Sequence, residues 1–522
     1  MVEHKVLITT SGLGSRLGNI TQFTNKSLVR IGDKPVISHI IESYNSKTEF
    51  IITLGHYGDQ VKQFLKLAYP KLKIKFVKVD KYSGPGSSLL YSISKAKKCL
   101  QSNFIFHACD TVVNKDLIKK INPNINWIAG YKNKSSQVYR TFNTAGDKIV
   151  KLNEKGEENF DYIYIGLAGI KNYKLFWRYL FQILKTNKST ELSDYHVIKK
   201  LLNEINFNYI ETNNWLDTGN VDSLKKSRKK HKSINNLLSK DDENIYFINN
   251  QVIKFFYNKK ICENRVLRSK YLKEMTPKIL SFSNNFYSYK YVEGKVMSDC
   301  LDNINFNRLL NWAKLNLWKR KKVEKKIFIK NAIQFYKFKT INRVNNFLKV
   351  NNHKDTSNNI NNIKIPTLTS LLESIQYDEL IGENATGFHG DFILENIILN
   401  KNQKFILIDW RQDFNGLLDY GDCHYDIAKL NHNLIFNHEQ INNGNFVLKL
   451  DKKIKIDLLV KKINIDCIEI LKKFCKKNNI DYKKIQILTA LIWINMAPLH
   501  EYPLNFFLYY FGKYNLFVNL KK

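Results

Sequence analysis

The run Lys5-Val6-Leu7-Ile8-Thr9-Thr10 ends in a glycine-rich turn, Gly12-Leu13-Gly14-Ser15-Arg16-Leu17. An apolar run without polar alternation belongs to a strand buried on both faces, hence to a parallel region of sheet covered by helices. Glycines at the end of such a strand let backbone N–H groups close around a phosphate where the chain turns into a helix. The expectation for this part of the chain is an α/β domain.

The turn continues into Thr24-Asn25-Lys26-Ser27-Leu28-Val29-Arg30-Ile31-Gly32-Asp33-Lys34-Pro35. Further landmarks follow in order: Ser83-Gly84-Pro85-Gly86-Ser87-Ser88, Ala108-Cys109-Asp110, Ile165-Gly166 and Trp215-Leu216-Asp217-Thr218-Gly219. This ordered set resembles the nucleotidyltransferases that act on sugar phosphates and phosphocholine. The resemblance implies a Rossmann-like fold with a mixed, mostly parallel sheet and flanking helices. It implies that Gly12, Gly14 and Ser15 wrap the nucleotide phosphates and that Gly84 and Gly86 approach the base. Arg16 and Lys26 would act as catalytic cations on the triphosphate and the incoming phosphate, and Asp110 and Asp217 would bind Mg²⁺. Two departures stand out: Asn25 occupies the place of a proline, and Thr9-Thr10-Ser11 that of L-A-A.

A second pattern, His389-Gly390-Asp391-Phe392-Ile393-Leu394-Glu395-Asn396, precedes Ile406-Leu407-Ile408-Asp409 and Gly421-Asp422-Cys423-His424-Tyr425-Asp426-Ile427-Ala428. It resembles the aminoglycoside phosphotransferase and choline kinase group, relatives of protein kinases. The resemblance implies a two-lobed α+β domain with a small antiparallel sheet and a helical lobe. Asp391 would be the catalytic base, and Asn396 and Asp409 would bind Mg²⁺. Lys254, in Asn250-Gln251-Val252-Ile253-Lys254-Phe255-Phe256, would touch the ATP phosphates with Glu263 as its helix partner. His389 reads as a brace for the loop, and Tyr289 to Gly294 as a hinge strand.

A chain of 522 residues exceeds what one core normally holds. The polar, charged stretch from Lys225 to Asp242 is the expected linker, giving a nucleotidyltransferase domain over residues 1–235 and a kinase-like domain over 240–522. The segment from Trp318 to Lys326 reads as an exposed helical face, and the asparagine-rich stretch from Asn351 to Asn362 as a loop. Net charge is +36, but lysine is spread along the chain rather than clustered, so no specific nucleic-acid partner is expected. Seven cysteines without a C-x-x-C pair read as free thiols of a reducing cytoplasm. No membrane association is expected, because no apolar run is long enough to span one.

Together the two resemblances imply a bifunctional enzyme. A small alcohol or amino alcohol is phosphorylated by ATP and then activated by CTP or another NTP, with Mg²⁺, for surface polysaccharide synthesis. One alternative is a sugar kinase joined to a UTP- or dTTP-dependent sugar-1-phosphate nucleotidyltransferase, in which Glu191 accepts from hydroxyls of the acceptor or else merely caps the helix that follows. Another makes one domain a non-catalytic binding or regulatory module. Arg411 is read equally as a ligand for a substrate carboxylate and as a salt-bridge partner. A homo-oligomer is compatible with either enzyme.

Overall fold

The computed structural model describes residues 4–133, 137–231 and 242–521. The chain divides into two compact units: Met1–Cys262 with Leu280–Tyr291, and Glu263–Ile279 with Val292–Lys522.

The first unit is built on a nine-stranded sheet. Four neighbouring strands, Lys73–Lys78, Glu49–Leu54, Lys5–Thr9 and Phe104–Ala108, are parallel. The inner three, Glu49–Leu54, Lys5–Thr9 and Phe104–Ala108, are buried on both faces, as their apolar runs require, while Lys73–Lys78 is a half-exposed edge: Val6, Ile8, Phe50, Ile52 and Ile105 join one core, while Leu7, Ile51, Phe104 and Phe106 join the other. Beyond them lie Tyr162–Ile170, Trp127–Tyr131, Asn208–Thr212, Lys148–Asn153 and Thr141–Ala145. In that half only Trp127–Tyr131 and Asn208–Thr212 run parallel. The sheet is therefore mixed but not mostly parallel, because Thr141–Ala145 and Lys148–Asn153 form a hairpin, which can only pair antiparallel.

From Lys5–Thr9 the chain moves outward to Glu49–Leu54 and Lys73–Lys78, then returns to place Phe104–Ala108 on the opposite side of the first strand. This reversal leaves a crevice at the carboxyl ends of Lys5–Thr9 and Phe104–Ala108, where α/β sheets bind ligands.

The first unit extends past the linker expected at 235–240. Glu243–Ile248, Gln251–Phe256, Phe286–Lys290 and Ile279–Phe282 form a four-stranded antiparallel sheet. Tyr246, Ile248, Ile253, Phe255 and Phe286 from this sheet are buried in the same core as Val6 and Phe64. Tyr246 packs edge-on against Phe64 at 5.3 Å, and its hydroxyl donates to the Leu28 carbonyl at 2.8 Å. Each such buried aromatic side chain contributes about 2–3 kcal/mol.

The second unit is mainly helical, with long helices at Asn303–Asn316, Lys339–Val350, Cys423–Ile435, Lys462–Lys477, Tyr482–Met496 and Leu504–Lys521. A small sheet joins Gly294–Val296, Ile397–Asn400 and Phe405–Leu407. The segment from Trp318 to Glu324 is extended rather than helical, because Trp318 is buried and Arg320 and Lys321 pair with Thr386 and Ala385. Part of the asparagine-rich stretch is also ordered: Asn358–Ile360 and Ile363–Ile365 form a hairpin, with Asn361 and Asn362 at φ 49° and 64° supplying the left-handed turn. All seven cysteines are free thiols. Among the described residues no helix is long and apolar enough to cross a membrane.

Candidate active sites

The glycine-rich turn leads into a 3-10 segment, Ser15–Thr21, rather than an α-helix. Gly14 has φ 75°, and a side chain there would press on Lys26 Cβ and Thr21 at 3.1 Å, so glycine is needed for conformation and closeness alike. The turn therefore offers no long helix dipole to an anion, only backbone N–H groups and the nearby cations.

Asn25 is fully buried and acts as a clamp. Its amide donates to the carbonyls of Thr10 and His56 at 2.9 and 2.6 Å, and its Oδ1 accepts from Ser27 N and Oγ at 2.9 and 2.8 Å. Hydrogen bonds thus supply the stiffness that a proline ring would otherwise give. Replacing Asn25 by Ala should cost about 2–4 kcal/mol, because several buried partners lose their bonds at once. Urea unfolding of the whole protein checks this, and a loss under about 0.5 kcal/mol would refute the clamp.

The first turn is also tied to the Gly84–Ser88 loop. Ser11 Oγ donates to Ser92 Oγ at 2.8 Å, Ser92 Oγ bonds back to the Ser88 carbonyl, and Ser88 caps the helix Leu89–Lys95. Gly84 and Gly86 have φ 75° and 78°, with Ser87 Oγ donating to the Gly84 carbonyl at 2.6 Å.

Asp110 lies two residues past the end of Phe104–Ala108, the neighbour of the first strand. Thr111–Val113 pairs antiparallel with Trp215–Asp217, setting Thr111 opposite Asp217. Thr218 N and Oγ1 both donate to the Asp110 carbonyl, at 2.9 and 3.1 Å. This short pairing brings the two aspartates together. A Cβ built on Gly219 would stand 3.1 Å from Asp217 Oδ1, 3.3 Å from Asp110 Oδ2 and 3.3 Å from Arg16 Nη2.

Lys26 Nζ lies 3.3 Å and Arg16 Nη2 3.8 Å from Asp110 Oδ2. Burial opposes both charges of the inner pair. Asp110, and more weakly Cys109, nevertheless raise the Lys26 pKa, while Lys26 and then Arg16 hold Asp110 below the usual carboxylate range. Asp217 accepts from Tyr139 OH at 2.8 Å, Gly219 N at 2.8 Å and Asn220 Nδ2 at 3.3 Å. Burial and the adjacent Asp217 push the Tyr139 phenol up to about 12, so it remains a donor. Beneath Asp110, His107 Nε2 donates to the Thr111 carbonyl and Nδ1 accepts from Tyr44 OH, both at 2.9 Å; burial lowers this imidazole to about 4 and keeps it neutral.

Two facing carboxylates with cations alongside fit Mg²⁺, a hard ion that shares its oxygen ligands with substrate phosphates and water. Among the described residues no group of three or more His, Cys, Asp or Glu could hold a metal. Sequence reasoning missed Tyr139 and the spacing role of Gly219. Glu191 is exposed, and the following helix is capped by Ser193 and His196 instead.

Residues 6–135 match the family model of the MobA-like NTP transferase domain. The N-terminal domain has the α/β fold of a nucleotidyltransferase. Over 225 residues the chain is 25% identical to the bifunctional protein GlmU of Methanococcus vannielii, which covers 41% of this chain and 51% of that protein. It is 31% identical over 117 residues to a choline-phosphate cytidylyltransferase of Streptococcus pneumoniae, covering 22% of this chain and 48% of that relative. A solved CTP:phosphocholine cytidylyltransferase structure from S. pneumoniae aligns at 19% identity with a TM-score of 0.37, covering 44% of this chain and 99% of its own. The chain spans about half the length of the two curated relatives.

The second unit carries its own polar cluster. Asn396 Nδ2 donates to the Asp391 carbonyl and carboxylate at 3.0 and 3.2 Å, and Lys429 Nζ pairs with Asp391 Oδ1 at 2.7 Å. Ile397 pairs with Leu407, and Ile408 N donates to the Asn396 carbonyl at 2.9 Å, so the hairpin sets Asp409 beside Asn396. Asp409 has φ 57°, a conformation that costs about 1–3 kcal/mol in a non-glycine residue and is concentrated at functional sites.

The loop is braced from below. Asp426, fully buried, accepts from His389 N and Gly390 N, both at 2.7 Å, and from Trp318 Nε1 at 3.1 Å. Burial raises its carboxyl to about 6 against those bonds. His389 donates from Nε2 to the Ile408 carbonyl and accepts Asp391 N at Nδ1, as a neutral brace. Arg268, 1% exposed, donates to the carbonyls of Leu418, Phe388, His389 and Arg411.

Sequence reasoning missed Arg268 and Lys429. Lys429 was within reach, one turn beyond Asp426 on the same helix; Arg268 bonds only to backbone and leaves no sequence signal. Lys254 lies in the first unit, 4% exposed on Gln251–Phe256. Glu263 lies in the second unit, on the exposed side of helix Lys259–Leu272.

Proposed function

We propose that the N-terminal domain transfers a nucleotidyl group from an NTP, CTP in the favoured reading, to a small phosphorylated alcohol or amino alcohol. An oxygen of the acceptor phosphate bonds to the α-phosphorus as the bond to the bridging oxygen breaks and pyrophosphate leaves. The observation that carries this reading is the convergence of Arg16, Lys26, Asp110 and Asp217 at the strand reversal beside the glycine-rich turn. Arg16 and Lys26 offset the repulsion between two polyanions, and the turn and the Gly84 loop orient the nucleotide. The choline-phosphate cytidylyltransferase relative favours CTP.

The second unit phosphorylates the alcohol with ATP in this reading. The hydroxyl oxygen bonds to the γ-phosphorus, Asp391 takes the proton and ADP leaves. Asp110 and Asp217 in one site, and Asn396 and Asp409 in the other, would hold Mg²⁺, which when bound would neutralise phosphate charge. The product is an NDP-activated alcohol for surface polysaccharide. The alternative, a sugar 1-phosphate with UTP or dTTP, draws on the glucose-1-phosphate cytidylyltransferase relative of Bacillus subtilis only for its sugar.

Pyrophosphate release with each of CTP, UTP, dTTP and GTP against pools of phosphorylated alcohols and sugar 1-phosphates tests the assignment. Release with CTP and an alcohol phosphate supports it; release only with UTP or dTTP and a sugar 1-phosphate replaces it. Gly219→Ala gives a sharper check. The added methyl falls between both aspartates and Arg16, so release should drop at least about 100-fold while the protein stays folded.

A further inference from the structure

Beside Asp391 the second unit gathers cations that phosphoryl transfer as described does not use. Arg411 packs against Gly390, where a built Cβ would stand 2.5 Å from Arg411 Cβ, and its N–H donates to the His389 carbonyl at 3.0 Å. Its guanidinium lies over the Phe335 ring at 4.8 Å, and the Lys339 ammonium lies over the same ring at 3.5 Å. Phe335 belongs to Gln334–Phe338, a π-helical turn of the kind found at functional sites. Phe414 and Tyr425 complete an aromatic wall, 4.5 and 4.8 Å from Phe335 between centroids.

Lys429 is paired with Asp391, but among the described residues neither Arg411, Lys339 nor Arg343 has a carboxylate within ion-pair distance. Arg411 Nε is a buried donor without an acceptor. Burial, then Arg411, Arg343 and Lys429, push the Lys339 ammonium well below its ordinary value, with Asp413 opposing. Cations held together without counter-charge are costly, and a bound anion offsets that cost. The aromatic face that a quaternary ammonium would require is meanwhile covered by the protein's own cations.

We propose that the alcohol accepted at the second site carries an anionic group, a carboxylate or a phosphate, held by Arg411 and Lys339 while its hydroxyl faces Asp391. This rests on the kinase reading of the second unit. Full-length protein with Mg²⁺ and ATP is assayed for ADP release with D-glycerate, glycerol 3-phosphate, glycerol and choline, and its unfolding temperature is measured with each compound. One or both anionic alcohols should exceed glycerol and choline by at least about tenfold in kcat/KM, which of the two wins naming the anion. Arg411→Ala and, independently, Lys339→Met should erase the preference mainly through KM.

Preference for choline or glycerol that survives Arg411→Ala overturns the inference and leaves the kinase reading intact. Absence of ADP with every compound, combined with stabilisation by an anionic alcohol that Arg411→Ala removes, overturns the kinase reading and leaves the anion site. Absence of both turnover and anion-dependent stabilisation overturns the inference.

Discussion

Asp110→Asn protein should release pyrophosphate at no more than about one-thousandth of the unsubstituted rate, a loss on the order of 4 kcal/mol in the barrier. The substitution keeps shape and removes charge. Lys26 and Arg16 lose the carboxylate that lies 3.3 and 3.8 Å away, and Asp217 is left as the sole acid facing the space beside Gly219. Burial already opposes the Lys26 charge, so removal of its counter-ion also weakens the cation that must meet the phosphates. Steady-state release with the accepted nucleotide, alongside a thermal unfolding curve showing a folded protein, decides the matter. A rate within tenfold of the parent would remove Asp110 from the chemistry.

Asp391→Asn should lower ADP release by about 10³ to 10⁴, on the order of 4–5.5 kcal/mol. The carboxylate accepts from Asn396 and is paired with Lys429, and a neutral amide can neither take a proton from the acceptor nor balance that ammonium. Loss of the pair leaves Lys429 beside other cations, so a modest drop in unfolding temperature should accompany the loss of activity. Near-normal ADP release in the folded variant would sink the role of Asp391.

The parts of the fold legible in the sequence were those with a local cause. The unbroken apolar run before Gly12 announced a strand buried on both faces, and the glycines at 14, 84 and 86 marked left-handed turns. The pairing that joins Asp110 to Asp217 was not legible from periodicity, because Thr111–Val113 and Trp215–Asp217 are too short to show any. Only the order of the motifs hinted that the two aspartates belong together. The helical reading held for Lys325 and Lys326 but failed from Trp318 to Glu324, because charge density says nothing of a backbone that must pair with Thr386 and Ala385. Lys339 and Arg343 belong to no sequence motif, and their approach to Arg411 depends on tertiary packing that neither segment encodes alone. Asp422 and Asp426 were legible as a motif, yet their work is mechanical: one caps its helix and accepts from Tyr336 and Gly382, the other holds the His389–Gly390 turn.

The burial of Tyr246, Phe255 and Phe286 beside Phe64 bears on how such a gene can be cut. With a break near residue 235, the released N-terminal piece would keep Phe64, Leu28 and their neighbours and lose the strands that shield them. Such a fragment should aggregate, whereas one carrying residues through Tyr291 retains its shield. Separation of the two units by truncation, in the laboratory or in evolution, therefore has to carry the antiparallel strands along with the nucleotidyltransferase fold.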